Sequence, residues 1–297
     1  MDGIINVYKE AGMTSFDVVA RIKRIFKANK CGHAGTLDPM AEGVLPVCIG
    51  YATRFADLLT AKDKQYIAQF RLGASYDTYD TTGTVRHTSD IEPTEDEVRK
   101  ALSPMIGDIE LTVPAFSAKK INGKRAYDLA REGKLEDAGK ATMTITKIEL
   151  MSYSYPDGVF VMDCGKGTYV RSVIETMGNT LGSYAAMSGL IRSQNGIFNV
   201  KNAHKIAAIE EAVNSNKVND VLLAVEDVVD LPKAILYDAA VSKIANGIAP
   251  RRNEYKTIPE PAEDLHYLIM SVSGKLLALG EWDKNGGALK LLKVFAK

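Results

Sequence analysis

The sequence has only three cysteines, at positions 31, 48 and 164, an odd number with no two spaced as CxxC. That excludes a disulfide framework or a zinc ribbon as the organising device. Neither sign of charge is in excess: 37 basic residues against 37 acidic ones give a formal net charge of zero. Coating nucleic acid by bulk charge is therefore excluded, while binding through a local basic patch is not. No apolar run reaches the length of a membrane span. The opening MDGIINVYKEAG lacks a basic-then-apolar signal region, so the expected location is cytoplasmic. Motifs of several catalytic classes are missing too. There is no GxGxxG and no GxSxG elbow, and GKGT at 165–168 lacks the upstream glycine of a phosphate-binding loop. A zinc base deaminase needs HxE and PCxxC, but His33 is followed by Ala34 and Gly35. His33, Cys31 and Cys48 read more simply as a loop histidine beside core cysteines than as metal ligands.

What is there is a 297-residue chain, 46% hydrophobic and 25% charged, the composition of a globular protein with a substantial core. Its most distinctive stretch is CGHAGTLDPMAEGVLPVCIG, residues 31–50. Glycines 32 and 35 flank His33, and Pro39 pushes Asp38 toward extended backbone. From Gly43 to Gly50 the chain reads as a buried apolar run closed by turn residues. On pattern alone Asp38 is either a helix cap, with Pro39 in the first helical position, or a carboxylate held on a stiff loop for chemistry.

Around that stretch, residues 4–8 read as a strand. Thr14 or Ser15 caps a helix with Phe16, Val19, Ile22 and Phe26 on its apolar face and Arg21, Lys23, Arg24 and Lys27 outside. KQYIAQFRLG alternates, placing Tyr66, Ala68, Phe70 and Leu72 on one side of a strand. DTYDTTG sets Asp77 and Asp80 among hydroxyls in a loop. Thr94 and Glu97 form a capping box for a helix that Pro104 interrupts. Lys119, Lys120, Lys124 and Arg125 arrive with no intervening acid around an Asn122-Gly123 turn, and read equally as a phosphate contact or a solvated loop. Strands over 142–153 and 158–167 precede a helix whose first turn carries Tyr169 and Arg171; a strand over 184–198 and a helix over 203–213 follow. Strands in runs, with helices interspersed, imply an α+β fold around a mostly antiparallel sheet. VVDLP marks a boundary near 228, beyond which HYLIMSV, KLLALGEW and ALKLLKVFAK suit a small barrel.

In order and spacing across residues 1–200, these segments resemble the tRNA pseudouridine synthase B family, the pseudouridine-55 synthases. GHAGTLDPMAEGVLPVCIG resembles its catalytic motif and INVYKEAGMTSFDVV its lysine-glycine-threonine-serine segment. KQYIAQFRLG with DTYDTTG resembles the tyrosine strand and acidic loop. VPAFSAKKINGKRAYDLAREG resembles the RNA-gripping insertion, CGKGTYVRSV the arginine motif and SGLIRSQNGIF the leucine-arginine strand. KEAG at 9–12 departs from the pattern, since the family has proline after the lysine.

The resemblance implies a pseudouridine synthase fold over 1–228, a mostly antiparallel mixed sheet flanked by helices, with the insertion at about 112–136. Over 229–297 it implies a PUA-like, RNA-binding β-barrel domain. The implied reaction converts uridine to pseudouridine at position 55, in the T-loop of tRNA, with no cofactor and no metal. Asp38 would be the nucleophile, with Arg171 pairing with Asp38 or with Asp80, the orienting acid. His33 would fill the space left by a flipped-out base, which Tyr66, Tyr169, Arg171 and Leu190 would hold. Lys9, Lys119, Lys120, Lys124 and Arg125 would meet phosphates. The expected partner is the tRNA T stem-loop, bound by a monomer with no obligatory protein partner and no membrane. Two alternatives stay open. One is a guide-RNA-dependent relative of the dyskerin-like branch, disfavoured by the long basic insertion and the lack of lysine-rich tails. The other is a tRNA-binding or folding protein without chemistry.

Overall fold

Hydrophobic periodicity switches along the chain between the strand and helix repeats, and the elements follow it. They are seen in a computed structural model that describes residues 1–117, 119–121, 123–135, 137–260, 262, 265–283 and 289–296, without the side chains of Lys120 and Arg125. β1 (Gly3–Lys9) is buried along nearly its whole length, its polar Asn6 and Lys9 included. α1 (Ser15–Ile25) starts at a capping box in which Thr14 and Asp17 each accept the other's backbone N–H. Its buried side is Val18, Val19 and Ile22, followed by Phe26, whereas Phe16 is 75% exposed. The expected apolar face is thus corrected: Val18 and Ile22, four residues apart, form the stripe, and Phe16 lies off it.

β2 (Cys31–His33) and β3 (Glu42–Ile49) pair antiparallel, with Cys31 opposite Ile49 and His33 opposite Val47. A 3-10 turn at Gly50–Phe55 leads through α2 (Ala56–Thr60) to β4 (Lys64–Leu72), where Tyr66, Ala68, Phe70 and Leu72 are buried as alternation requires. A small hairpin, Ala74–Tyr76 with Val85–Thr88, frames the loop that carries Asp80. α3 (Glu95–Leu102) begins at the Thr94 and Glu97 box and gives way at Pro104 to a 3-10 turn. β5 (Gly107–Pro114) follows; its buried Leu111 and Val113 went unread because the neighbouring basic run dominates that stretch. The insertion, with two-residue strands at Lys120–Ile121 and Lys124–Arg125 and α4 (Ala126–Arg131), leaves from β5 and returns into β6 (Asp137–Ser154). β7 (Asp157–Cys164), α5 (Val170–Leu181), β8 (Ala185–Asn195), β9 (Phe198–Asn199) and α6 (Ile206–Asn214) complete the unit.

Among the described residues the strands make a nine-stranded sheet in the order β1-β3-β8-β4-β7-β6-β5, with β2 on β3 and β9 on β8. β3 and β8 are parallel; the pairs from β8 through β4, β7 and β6 to β5 are antiparallel. α5 packs on β8 so closely that a Cβ on Gly178 would lie 2.2 Å from the Ala185 nitrogen. The first turn of α5 is held at the far edge of the sheet, where Ser172 Oγ donates to Thr112 O of β5 at 2.6 Å.

Contacts divide the chain into two units, Met1 with Ile5–Val221, and Asp2–Ile4 with Leu222–Lys297. The division lies ahead of the expected residue 228, because α7 (Val225–Val228) belongs with the C-terminal unit. That unit continues with β10 (Lys233–Leu236), α8 (Val241–Ala245), β11 (Tyr255–Thr257), β12 (His266–Ser271), β13 (Leu276–Trp282) and β14 (Leu289–Val294). Its five-stranded sheet runs β11-β10-β12-β13-β14, among the described residues, around a core that includes Leu236, Ile244, Tyr267 and Leu277. No helix among the described residues is long and apolar enough to cross a membrane.

Candidate active site

The loop between β2 and β3 carries Asp38, and it is not a helix start. A single turn closes it, with the Ala41 N–H donating to Asp38 O at 3.1 Å. The helix-cap reading of Asp38 is therefore excluded. Neighbouring elements hold several of the loop's backbone groups. Asn195 Nδ2 donates to Ala34 O at 2.9 Å. Ser15 Oγ accepts from Leu37 N–H at 2.8 Å and donates to Leu37 O at 3.1 Å; Thr14 serves as the α1 cap and leaves Ser15 free for this. Gly12 N–H donates to Pro39 O at 2.9 Å.

Lys9 completes this scaffold, and the expectation that it meets a phosphate is corrected. Its side chain is 0% exposed, and Nζ donates to Pro39 O at 3.1 Å, to Ala41 O at 2.5 Å and to Glu10 O at 3.2 Å. An ammonium committed to loop carbonyls has no donor left for solvent or RNA. Burial pushes its pKa down to about 8, against the pull of Asp38 and Glu42.

The far end of the loop is fixed by backbone contact. Gly43 has φ +101°, and a Cβ there would lie 2.3 Å from Arg192 O. Gly43→Ala combines a left-handed conformation with a backbone collision. It is expected to lower the unfolding free energy by about 2–3 kcal/mol. Urea denaturation of wild type and variant checks this, and a loss under about 0.5 kcal/mol would contradict it.

Arg171 stands at the centre of the site, 5% exposed. Nε lies 3.0 Å from Asp38 Oδ2. Nη1 donates to Thr78 O at 2.9 Å and lies 3.8 Å from Asp80 Oδ2, while Nη2 donates to Phe116 O at 2.9 Å. The rigid guanidinium fork thus ties together the Asp38 loop, the Asp80 loop and the base of the insertion. Asp80 is oriented in turn, its Oδ1 accepting from Thr78 Oγ1 at 2.9 Å, Thr82 N–H at 3.0 Å and Thr82 Oγ1 at 2.5 Å. Asp38 keeps 34% of its side chain exposed, enough for a ligand atom to approach. Burial pushes its carboxyl above the ordinary aspartate range; Arg171 is the strongest opposing influence, and Asp80 adds to the rise.

Asp38 opens into a cavity of about 210 Å³ whose walls include Tyr66, Tyr169, Arg171, Leu190 and Arg192. Tyr66 is 6% and Leu190 8% exposed, so both offer a face only to the cavity. A larger cavity of about 380 Å³ lies against α3 and α5, lined by Glu92, Glu97, Lys100 and Thr180. It has no fixed array of charged groups like that around Asp38.

The structure therefore brings together Asp38, Tyr66, Tyr169, Arg171 and Leu190, with Asp80 joined through Arg171. His33 is not in the cavity wall. It ends β2, half-buried, with Nδ1 buried and unpartnered; burial, then the Arg192 charge, lowers its pKa. In the insertion, Lys124 is exposed and Lys119 Nζ donates to Ala138 O at 2.7 Å. The Lys120 and Arg125 side chains lie outside the described residues. Among the described residues no group of three or more His, Cys, Asp or Glu side chains is placed to hold a metal ion.

Lys64, which lines the cavity with Nζ donating to Thr60 O at 2.9 Å, and the buried Ser15 and Arg192 are not among the site residues expected from sequence. A cation two residues beyond Leu190 in a strand that is otherwise core was a signal for the last of these. Ser15 carries two sequence signals, as a rival cap and as a member of the lysine-glycine-threonine-serine segment, but neither assigns it to the loop.

Residues 23–170 match the TruB family pseudouridylate synthase N-terminal domain. The chain is 36% identical over 295 residues to the tRNA pseudouridine synthase B of Clostridium kluyveri, covering 99% of this chain and 100% of that one. It is 39% identical over 254 residues to the enzyme of the same name from Bacillus licheniformis, covering 83% of this chain and 82% of that one. Among solved structures, a chain in the crystal structure of a Cbf5-Nop10-Gar1 complex superimposes with a TM-score of 0.74 at 26% identity, covering 98% of this chain and 84% of that one. The fold is that of the pseudouridine synthases, α+β with a large mixed sheet, followed by a small PUA-like domain. By its sequence along nearly its whole length and by its fold, the chain belongs to the TruB family of pseudouridylate synthases.

Proposed function

We propose that this protein converts uridine to pseudouridine at position 55, in the T-loop of tRNA, with Asp38 as nucleophile acting on a flipped-out base. The observation that carries the reading is the partly open Asp38 carboxylate, fixed by Arg171 at 3.0 Å on the wall of a cavity shared with Tyr66 and Leu190. The reaction breaks the bond from ribose C1′ to uracil N1 and forms one from C1′ to C5, with the C5 proton released and N1 taking one up. It is redox-neutral. Attack on C1′, attack on uracil C6 and removal of a sugar proton all begin with an ionised carboxylate beside the glycosidic bond. A base inside a folded RNA reaches such a carboxylate only by leaving the stack. Tyr66 then offers a ring to stack on, Leu190 an apolar wall, and Arg171 holds the carboxylate in line. Cytoplasmic action follows from the substrate.

The likeness to a chain crystallised in a Cbf5-Nop10-Gar1 complex supports a second reading, in which RNA and protein partners supply the target. The relatives that match at 36% identity over their full length carry the tRNA enzyme's name, which supports the stand-alone reading. Purified protein and a bare tRNA transcript decide between them. Pseudouridine without guide RNA or added protein is expected, and no product would overturn the stand-alone reading.

The insertion is proposed to grip phosphates through Lys119, Lys120, Lys124 and Arg125. Neutralising these residues is expected to weaken tRNA binding and flatten its salt dependence by roughly 0.7–0.9 of a log–log unit per lost contact. Filter binding between low and physiological salt measures it; an unchanged slope would make the insertion solvated surface only.

A further inference from the structure

Arg192 heads the fully buried side chains by size, at 1% exposure, and it is a cation. Its hydrogen bonds go to backbone carbonyls: Nε donates to Val44 O at 2.8 Å, Nη2 to Gly35 O at 3.0 Å and Nη1 to Thr36 O at 3.3 Å. Gly35 and Thr36 precede Asp38, and Val44 follows it in β3. One guanidinium therefore closes the neck of the loop that carries the carboxylate. The main chain of Arg192 repeats the grip, in parallel register with Gly43.

The same side chain reaches the other wall of the cavity. On β8, Arg192 lies directly opposite Tyr66 of β4, and both residues line the cavity. Leu190, two residues earlier, lines the same cavity. An aliphatic side chain of similar volume would serve core stability at least as well as a desolvated charge. A lysine could neutralise the same potential, but its single ammonium lacks the planar fork that places separate N–H groups on Gly35 O, Thr36 O and Val44 O. Geometry at the site accounts for an arginine here, whereas stability does not.

We propose that Arg192 is a positioning residue: its guanidinium ties the neck of the 35–44 loop to β8, where its backbone stands opposite Tyr66, and so fixes the distance between Asp38 and a base stacked on Tyr66. This rests on the function proposed above.

The test compares wild type with Arg192→Lys, using single-turnover pseudouridine formation, tRNA binding and hydrogen exchange of peptides across 34–44. The expected result is a rate lower by about 100-fold, as for an ångström-scale misplacement. Binding should stay within about threefold, with faster exchange confined to the loop. A rate near wild type would overturn the proposal, since charge alone would suffice. So would binding lost in proportion to rate with loop exchange unchanged, which marks a substrate contact, or faster exchange throughout the catalytic unit, which marks a purely structural role. Should Arg192→Lys fail to fold, Arg192→Met, which buries no charge, is expected to fold and show the same separation of rate from binding. If wild type itself forms no pseudouridine, the proposed function fails, and loop exchange still decides whether the clamp exists.

Discussion

Replacing Asp38 with asparagine is expected to reduce pseudouridine formation by at least about 10⁴-fold, the scale of losing a reacting group, while tRNA binding stays within a few-fold. The amide has the carboxylate's shape, and its oxygen can still accept from Arg171 Nε, now 3.0 Å from Oδ2. It cannot act as a nucleophile. Single-turnover assays with nucleoside chromatography, run beside filter binding, separate the two effects. A variant within tenfold of wild type would remove Asp38 from the reaction. The pH dependence has a definite sign. Only the ionised carboxylate reacts, and burial raises its pKa above the ordinary aspartate range. The rate should therefore climb with pH through that raised value and then level off. An acid limb lying below the ordinary aspartate range would contradict the site's electrostatics.

Arg171→Met is expected to cost roughly 10³-fold in rate, near the upper end of what one preorganised donor contributes. Among the influences on Asp38, Arg171 is the largest that favours ionisation. Removing it should push the acid limb to higher pH. The change also strands the Thr78 and Phe116 carbonyls and leaves two nearby carboxylates without their shared cation. Stability should therefore fall by about 3 kcal/mol or more. Arg171→Lys restores the charge and should return most of the acid limb without returning the rate, because an ammonium cannot replace the three-way fork. A pH–rate profile of the three proteins checks both halves. An acid limb unmoved in Arg171→Met would show that the pair is structural only.

Alternation of buried and wet positions makes several strands legible. The alternation from Tyr66 to Leu72 is read directly, and the Thr14 and Thr94 caps need only a few consecutive residues. Phe16 misled because a helix face is set by its neighbours, and Val18 fits α1 against them better. The 107–114 strand buries only Leu111, Val113 and Pro114, too short an apolar alternation to stand out beside the basic run that follows it. At the site, Asp38 and Arg171 were separated by more than a hundred residues of chain and could be joined only through resemblance. Lys9 and Arg192 were hidden for a different reason. A lone cation in a sequence reads as a surface charge, and only the fold shows that its partners are carbonyls of a loop. Backbone acceptors leave no mark on sequence.

The central claim is that one carboxylate on a clamped loop isomerises one uridine of tRNA. Nucleotide-resolution mapping of pseudouridine on a bare tRNA transcript, treated with wild-type protein or with Asp38→Asn, tests it most directly. A single new pseudouridine at position 55 in the T-loop with wild type, and none with the variant, is the predicted result. Modification at another position, or the same signal from both proteins, would contradict it.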